Sequence, residues 1–231
     1  MPSLKRSSTY TTPGGAKRRK TSKYAVPRTA TVSTAAALTR SHKILNTKQN
    51  VTLRYGERVS FSGIAGSSAS YVFSANGLYD PNITGTGHQP RGFDQLMSLY
   101  DHYLVKTATI EVWAQNNIAN PCLLSILVKD TNAAIPTDID VLEDTYATHR
   151  MMTPNDDSQY GYARFTVDIG KFLGGKDVSE MKGNIATNPT EGVFFFVQVT
   201  PVDAASSPSG KHIVRITYNA DLIEPKQPAS S

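Results

Sequence analysis

Apolar residues recur at every second position in a run that begins near residue 51 of this chain. Val51, Leu53 and Tyr55 alternate with polar residues, and Phe61 continues the same alternation beyond Gly56. A period of two is typical of a β-strand with one buried face. The glycine in the middle of the run predicts a β-bulge at that point.

Seven further segments show either this alternation or a short, fully apolar run. The links between most of them carry Gly, Pro, Asn or Asp, which are the residues that turns favour. The eight predicted strands are Val51–Ser62, Ser70–Ala75, Leu104–Ala114, Cys122–Lys129, Thr148–Thr153, Tyr160–Ile169, Gly192–Val202 and His212–Leu222.

One segment between the second and third strands has a helical period instead. Its apolar residues fall at positions i, i+3, i+4 and i+7: Phe93, Leu96, Met97 and Tyr100. We expect a short helix that closes the fold beside Trp113 or the neighbouring strand. Its polar residues are expected to face a neighbouring subunit: Asp94, Gln95, Ser98 and Asp101.

A second helical turn is predicted at Asp138–Glu143. The predicted fold class is therefore all-β: an eight-stranded antiparallel jelly-roll β-sandwich with short helical inserts and a disordered basic N-terminal arm.

Charge divides the chain into two parts. The first 56 residues carry twelve Lys/Arg and no Asp or Glu, whereas the other 175 carry twelve Lys/Arg and nineteen Asp/Glu. The arm is also nearly free of large aliphatic residues and cannot bury enough apolar surface to offset its ordering entropy. We therefore predict a disordered basic arm over residues 1–49, a shell domain over 50–225 and a short tail over 226–231.

Nucleic acid is the expected partner of such an arm, because a flexible polycation binds phosphates. The candidate binding residues are Lys5, Arg6, Lys17, Arg18, Arg19, Lys20, Lys23, Arg28, Arg40 and Lys43. The first six also have the spacing of a two-part nuclear import signal, since ten residues separate their two clusters. Alternatively, these clusters only neutralise phosphates. Tyr10 and Tyr24 lie among these charges and could stack on unpaired bases.

The sequence contains no set of residues that predicts catalysis. Its five histidines are scattered, and the single Cys122 permits no intrachain disulfide and predicts a small buried side chain. Gly170–Asp177 approaches the spacing of a phosphate-binding loop, but ends in Asp177 instead of Ser or Thr, so a plain glycine-rich loop is favoured. We therefore predict no enzyme activity, no catalytic residue and no cofactor.

Two acidic clusters could in principle hold calcium, but neither has the spacing of a calcium loop. Solvated loop carboxylates are favoured, and no metal is predicted. The clusters are Asp138, Asp140, Glu143 and Asp144, and then Asp156 and Asp157. No apolar run is long enough to span a bilayer and no secretory signal is recognisable, so no membrane partner is expected.

Three stretches of the chain resemble capsid proteins of small circular Rep-encoding single-stranded DNA viruses, and related plant satellite and tombus-like coat proteins. The stretches are Asn76–Asn82 (NGLYDPN), Gly87–Gln95 (GHQPRGFDQ) and Leu99–Tyr103 (LYDHY). The resemblance extends to the whole architecture, although its specific residues lie between Asn76 and Trp113. It implies a single jelly-roll capsid protein.

From this resemblance follow expectations about assembly. It implies a homo-oligomeric icosahedral shell, T=1 with sixty copies, that packages single-stranded nucleic acid, DNA in preference to RNA. The twelve basic residues among the first 56 of each of sixty copies would balance about 700 phosphates. A host nuclear import receptor is a further expected partner. The expected locations are the virion and, during assembly, the host nucleus.

Three other interpretations remain open from the sequence. A cellular nucleic-acid-binding β-sandwich with a basic tail would be a monomer or a small ring. A capsid of a small RNA or satellite virus would share the arm and the fold. A jelly-roll enzyme or sugar-binding module would need a pocket lined by His, Asp or aromatic residues.

Overall fold

The computed structural model describes residues 44–85, 87–154, 160–175 and 177–227. Eight strands and three short helices make up this part of the chain. The strands are β1 Lys48–Ser62, β2 Ala69–Ser74, β3 Tyr100–Asn116, β4 Cys122–Lys129, β5 Ala147–Met152, β6 Gly161–Asp168, β7 Phe194–Pro201 and β8 Ser209–Pro225. The helices are α1 Phe93–Met97, α2 Asp138–Glu143 and α3 Ile169–Phe172.

The strands form two antiparallel four-stranded sheets that pack face to face. Sheet 1 has the order β1-β8-β3-β6 and sheet 2 has the order β2-β7-β4-β5. Each half of the chain contributes two strands to each sheet, which is the arrangement of an eight-stranded jelly roll. The predicted all-β jelly-roll fold is confirmed, whereas the predicted disordered arm lies almost entirely outside the described residues.

All eight predicted strands are present, and β4 has the predicted bounds. Strands β3 and β8 are longer than predicted, because they pair with each other from Tyr100 opposite Pro225 to Asn116 opposite Gly210. The bulge predicted at Gly56 is wrong, since the β1–β8 register runs without interruption. The irregularity lies instead in β3 beside Lys106.

The hydrophobic core lies between the two sheets and is rich in aromatic residues. Tyr55 and Tyr218 of sheet 1 are buried there with Phe73 and Phe195 of sheet 2. The Tyr218 hydroxyl donates to the carbonyl oxygen of Ser74 at 2.8 Å, which ties the sheets together. Burial raises the pKa of Tyr218 well above its ordinary value. The hydroxyl therefore remains a neutral donor.

Helix α1 closes one side of the sandwich, as its periodicity predicts. Phe93 and Met97 are buried, and the Phe93 ring meets the edge of the Tyr103 ring at 5.6 Å. The helix ends at Met97, because Tyr100 already belongs to β3. Its polar residues are exposed. The contact expected with Trp113 is wrong, since Trp113 lies on the other side of sheet 1.

Tyr103 also accounts for a glycine that no turn requires. The backbone N–H and C=O groups of Tyr103 and Gly183 bond to each other at 2.9 and 3.0 Å. A Cβ at Gly183 would lie 2.2 Å from the Tyr103 ring. Only glycine allows the backbone at residue 183 to lie this close to the Tyr103 ring.

Helix α3 replaces the end of a predicted strand and the start of the predicted glycine-rich loop. The Asp168 carboxylate accepts the Lys171 N–H at 3.1 Å and caps the helix. Gly174 and Gly175, both with positive φ, follow the helix and turn the chain away.

None of the helices in the described part of the chain is long and apolar enough to cross a membrane.

Candidate nucleic-acid interface on the outer face of sheet 1

The ten residues that the sequence analysis assigns to nucleic-acid binding lie outside the described residues. The same is true of Tyr10 and Tyr24. The structure nevertheless contains a second cationic surface, which the sequence analysis missed. This surface is the outer face of sheet 1, on the side turned away from sheet 2.

Strand alternation places five basic residues on this outer face. Leu53, Tyr55 and Val59 of β1 point into the core, so the residues between them point outward. The same alternation applies to β6 and β8. The five outward basic residues are Arg54, Arg58, Arg164, Lys211 and Arg215, and all of them are exposed.

Register then brings residues from distant parts of the chain into transverse rows. One row contains Arg58, Ile213, Trp113 and Tyr162, from β1, β8, β3 and β6 in that order. The adjacent row consists of Gly56, Arg215, Glu111 and Arg164. Cations and aromatic rings therefore lie side by side across the sheet.

Arg215 is held in one orientation at the centre of these rows. Its Nε and Nη2 donate to one Glu111 carboxylate oxygen at 2.9 and 2.7 Å. Its guanidinium carbon lies 5.1 Å from the centre of the Trp113 ring, within cation–π range. Tyr162 donates to the other Glu111 oxygen at 3.0 Å. Partial burial would raise the pKa of Glu111, but the bonds from Arg215 and Tyr162 outweigh it and lower this pKa.

Three other cations on this face keep their charge available. Arg54, Arg58 and Lys211 form no ion pair with any acid among the described residues. Glu57, which lies between the two arginines in sequence, points to the opposite side of the sheet. There it accepts hydrogen bonds from the Tyr55 hydroxyl and from Asn82. The outer face therefore has charge available for an external anion.

Two adjoining depressions open on this face. The larger, about 450 Å³, lies over Gly56 between Arg54, Arg58, Arg215 and Trp113. The smaller, about 240 Å³, is lined by Arg58, Trp113, Tyr160, Lys211 and His212, among others. Arg58, Trp113 and Ile213 border both depressions, so the two form one groove along the sheet.

Beyond the groove, two lysines of the same sheet are neutralised. The carboxylate of Asp221, 1% exposed, forms ion pairs with Lys48 at 2.6 Å and Lys106 at 3.1 Å, and accepts Asn50 Nδ2 at 3.1 Å. Burial would raise the pKa of Asp221, but these partners outweigh it and lower the pKa. The irregularity of β3 places Lys106 beside this carboxylate. Lys48 and Lys106 are therefore neutralised by Asp221, in contrast to Arg54, Arg58 and Lys211 of the groove.

The acidic clusters serve local structure where they are described. Asp138 accepts hydrogen bonds from Ser68 and Thr200 at 2.8 and 3.1 Å. Asp140 and Thr137 form a reciprocal capping box at the start of α2. Asp156 and Asp157 lie outside the described residues. Within the described residues, no group of three or more His, Cys, Asp or Glu is arranged to hold a metal ion.

Cys122 and His212 are both buried at strand ends. Burial raises the pKa of the Cys122 thiol to about 11, so this thiol stays protonated at neutral pH. Burial lowers the pKa of His212 to about 3, and its ring lies 4.0 Å from the Phe61 ring. No hydrogen-bond partner for either ring nitrogen of His212 exists among the described residues.

A signal for the groove was present in the sequence. Arg54, Gly56 and Arg58 share one face of a predicted strand, and Ile213 and Arg215 share one face of another, directly after Lys211. Nearly 150 residues separate the two strands. Their adjacency depends on the sheet order, so spacing alone could not reveal a shared surface.

No protein-family model matches this chain, and no curated protein matches it. Several solved structures have a similar fold. A chain of turnip yellow mosaic virus is 9% identical with a TM-score of 0.46, over 80% of this chain and 99% of that one.

Two other similar structures come from different viruses. Cocksfoot mottle virus gives 14% identity and a TM-score of 0.46, over 78% and 95% of the two chains. The decameric BFDV capsid protein is 9% identical with a TM-score of 0.43, over 78% of this chain and 99% of that one. These identities and TM-scores are too low to assign the chain to any of these families.

Proposed function

We propose that this chain is a viral capsid protein that assembles into a closed icosahedral shell, T=1 with sixty copies, and packages a single-stranded DNA genome. One observation carries the proposal: the jelly-roll domain has a bare cationic outer face and continues, at its N-terminus, into an acid-free basic segment. The resemblance of residues 76–103 to such capsid proteins supports the same function.

The proposed work of the protein is physical and not catalytic. Basic residues of the arm, over residues 1–49, release counterions from the genome when they bind its phosphates. They include the pairs and clusters Lys5-Arg6 and Lys17–Lys20, which we also propose to bind the nuclear import receptor. Assembly should therefore depend on nucleic acid and weaken as salt rises.

A surface suited to contact between copies lies on α2. Val141 of this helix is buried against sheet 2, whereas Ile139 and Leu142 are 65% and 55% exposed on another side. Ile135, just before the helix, is 61% exposed as well. An exposed apolar patch of this kind is typical of a protein–protein contact. We propose that it packs against a neighbouring copy in the shell.

Expression of the full chain tests this function. Size-exclusion chromatography with absorbance at two wavelengths, followed by electron microscopy, should reveal uniform particles that protect nucleic acid from nuclease. A stable monomer or small ring that binds nucleic acid would contradict the proposal and favour the cellular β-sandwich interpretation. Sequencing of the protected nucleic acid, recovered from infected cells, distinguishes DNA from RNA.

The contact on α2 has its own test. The double variant Ile139→Ser, Leu142→Ser should remain folded and lose the particle peak. Glu143→Gln, an exposed change on the same helix, is the matched control and should assemble normally. Normal particles from the double variant would show that the shell is held by other surfaces.

A further inference from the structure

Gly56 occupies a place in the fold where no backbone feature requires glycine. It lies at the centre of the fifteen-residue strand β1, in continuous register with β8 and without positive φ. Glycine weakens the interior of a strand, because it adds backbone entropy and no packing. A Cβ at this position would meet only the Val214 carbonyl oxygen, at 3.8 Å. A Cβ therefore fits the backbone here, and a β-branched residue would be better suited to a strand.

The missing side chain has one structural consequence, which is the larger depression of the groove. This opening of about 450 Å³ is within the usual range of small-ligand sites, about 300–1,000 Å³. A side chain at residue 56 would project from the outer face into it. The glycine therefore keeps open a space that the fold itself does not use.

One wall of the depression is a preassembled stacking surface. The two hydrogen bonds that Arg215 donates to Glu111 fix its guanidinium group over the Trp113 ring. Both a tryptophan ring and an arginine plane stack on nucleobases, and stacking tolerates any base. Because Glu111 already holds Arg215, little side-chain entropy remains to be lost when a base arrives.

The flanks of the depression carry charge without partners. Arg54 and Arg58 lie two residues on either side of Gly56, on the same face, and neither is paired with an acid of the described part of the chain. Their guanidinium groups match phosphate geometry. A base in the depression would thus have an arginine on each side along β1. The sugar-phosphate backbone of the nucleic acid must pass over these two arginines.

We propose that the depression over Gly56 binds one unpaired base of single-stranded nucleic acid, stacked on Arg215 and Trp113, with flanking phosphates on Arg54 and Arg58. The inference rests on the proposed function, since it names where the packaged strand contacts the folded domain. A duplex is excluded from this site because the faces of its bases are already stacked within the helix.

Trp113 reports directly on this site, because it is the only tryptophan of the chain. Titration of the full chain, kept unassembled, with a short oligothymidylate should quench tryptophan fluorescence. A duplex oligonucleotide and polyglutamate, which can bind the basic residues by charge alone, should bind with little quenching. Equal quenching by polyglutamate would overturn the inference and identify the groove as a site for acidic peptides.

Gly56→Val fills the depression without changing any charge. The variant should melt at or above the parent temperature, because valine favours strands. It should lose the quenching and bind the oligothymidylate roughly 5- to 100-fold more weakly at salt high enough to suppress arm binding, as expected for one lost stack. Ser62→Val adds the same kind of residue to the same face of β1, away from the groove, and should behave as the parent.

The two proposals fail in distinguishable ways. Oligothymidylate that binds, as measured by the anisotropy of a label, without any change in Trp113 fluorescence overturns the base site alone. A Gly56→Val variant that retains full quenching does the same. A chain that forms no particles and binds no nucleic acid contradicts the proposed capsid function instead.

Discussion

The outer faces of the two sheets of this sandwich differ in composition and in coverage, although strand alternation builds both. Part of the outer face of sheet 2 is covered by its own chain: Phe196 and Leu127 pack under Val141 of α2, and Gln198 donates to the Pro136 carbonyl oxygen at 3.0 Å. The outer face of sheet 1 is bare and cationic. One face therefore completes the fold, and the other is left for a partner.

This difference separates stability from binding. Changes on the covered face should alter folding and leave intrinsic nucleic-acid affinity unaltered. Changes on the bare face should do the reverse. The two sets of positions can be tested in one protein, because matched residues exist on both faces.

The largest effect is expected on the covered face. Phe196→Ala removes a fully buried ring and should lower the free energy of unfolding by about 3–5 kcal/mol. Ile213→Ala, at a position 49% exposed on the bare face, should cost less than about 1 kcal/mol. Urea unfolding of the unassembled subunits measures both. Equal losses would mean that the bare face is covered in solution.

Asp221 should be the exception on sheet 1, because it is buried. Asp221→Ala removes its charge-assisted bonds to Lys48, Lys106 and Asn50, and should cost about 1.5–3 kcal/mol by the same urea measurement. It also frees two lysines, so nucleic-acid binding should strengthen at low salt. A variant as stable as the parent would show that these ion pairs contribute no net stability.

His212, on the inner side of sheet 1, predicts a loss of stability in acid. Its folded pKa of about 3 lies below the ordinary 6.5. The unfolded state therefore binds the proton first. Stability is complete above pH 6.5 and falls as the pH drops towards 3. Between pH 7 and pH 5 this residue should remove about 2 kcal/mol.

His212→Leu should flatten that dependence, as measured by the free energy of unfolding at the two pH values. The same change at His149, which is exposed on β5, tests whether any histidine has this effect. An unchanged slope in His212→Leu would place the acid sensitivity elsewhere.

The smallest expected effect distinguishes free from neutralised cations on one face. Arg58→Met should lower the slope of log affinity against log salt by about 0.7, the value for one lost phosphate contact on a single strand. Lys106→Met removes the same charge, but Lys106 is already paired with Asp221, so its slope should not change. Equal changes in slope for both variants would show that the unpaired cations of the groove contact nucleic acid no more than the paired lysine does.

The sequence predicted most of the fold and little of the site. Each strand follows from a period of two or from a short apolar run, and α1 from the spacing of Phe93 and Met97, because these are local patterns. The prediction of a bulge at Gly56 was wrong. A glycine in a strand can mark either a bulge or a position without a side chain in a regular strand, and only the register of the paired strands distinguishes the two. The α1 contact with Trp113 was wrong because it depended on which side of sheet 1 the helix covers.

The groove could not be predicted because it belongs to no single segment. Arg54 and Arg58 come from one end of the chain, Arg215 from the other and Trp113 from between them, and only the order β1-β8-β3 makes them neighbours. The basic residues of the arm are different, since their chemistry depends on composition and not on register. Their assignment to nucleic acid remains a prediction.

The most direct test of the difference between the two faces is an electron cryomicroscopy structure of assembled particles with their nucleic acid. We expect the outer face of sheet 1 to line the interior, with density for a base against Arg215 and Trp113 above Gly56. The α2 patch should lie against a neighbouring copy. A particle in which the cationic face points outward, or is buried between subunits without nucleic acid, would contradict the account.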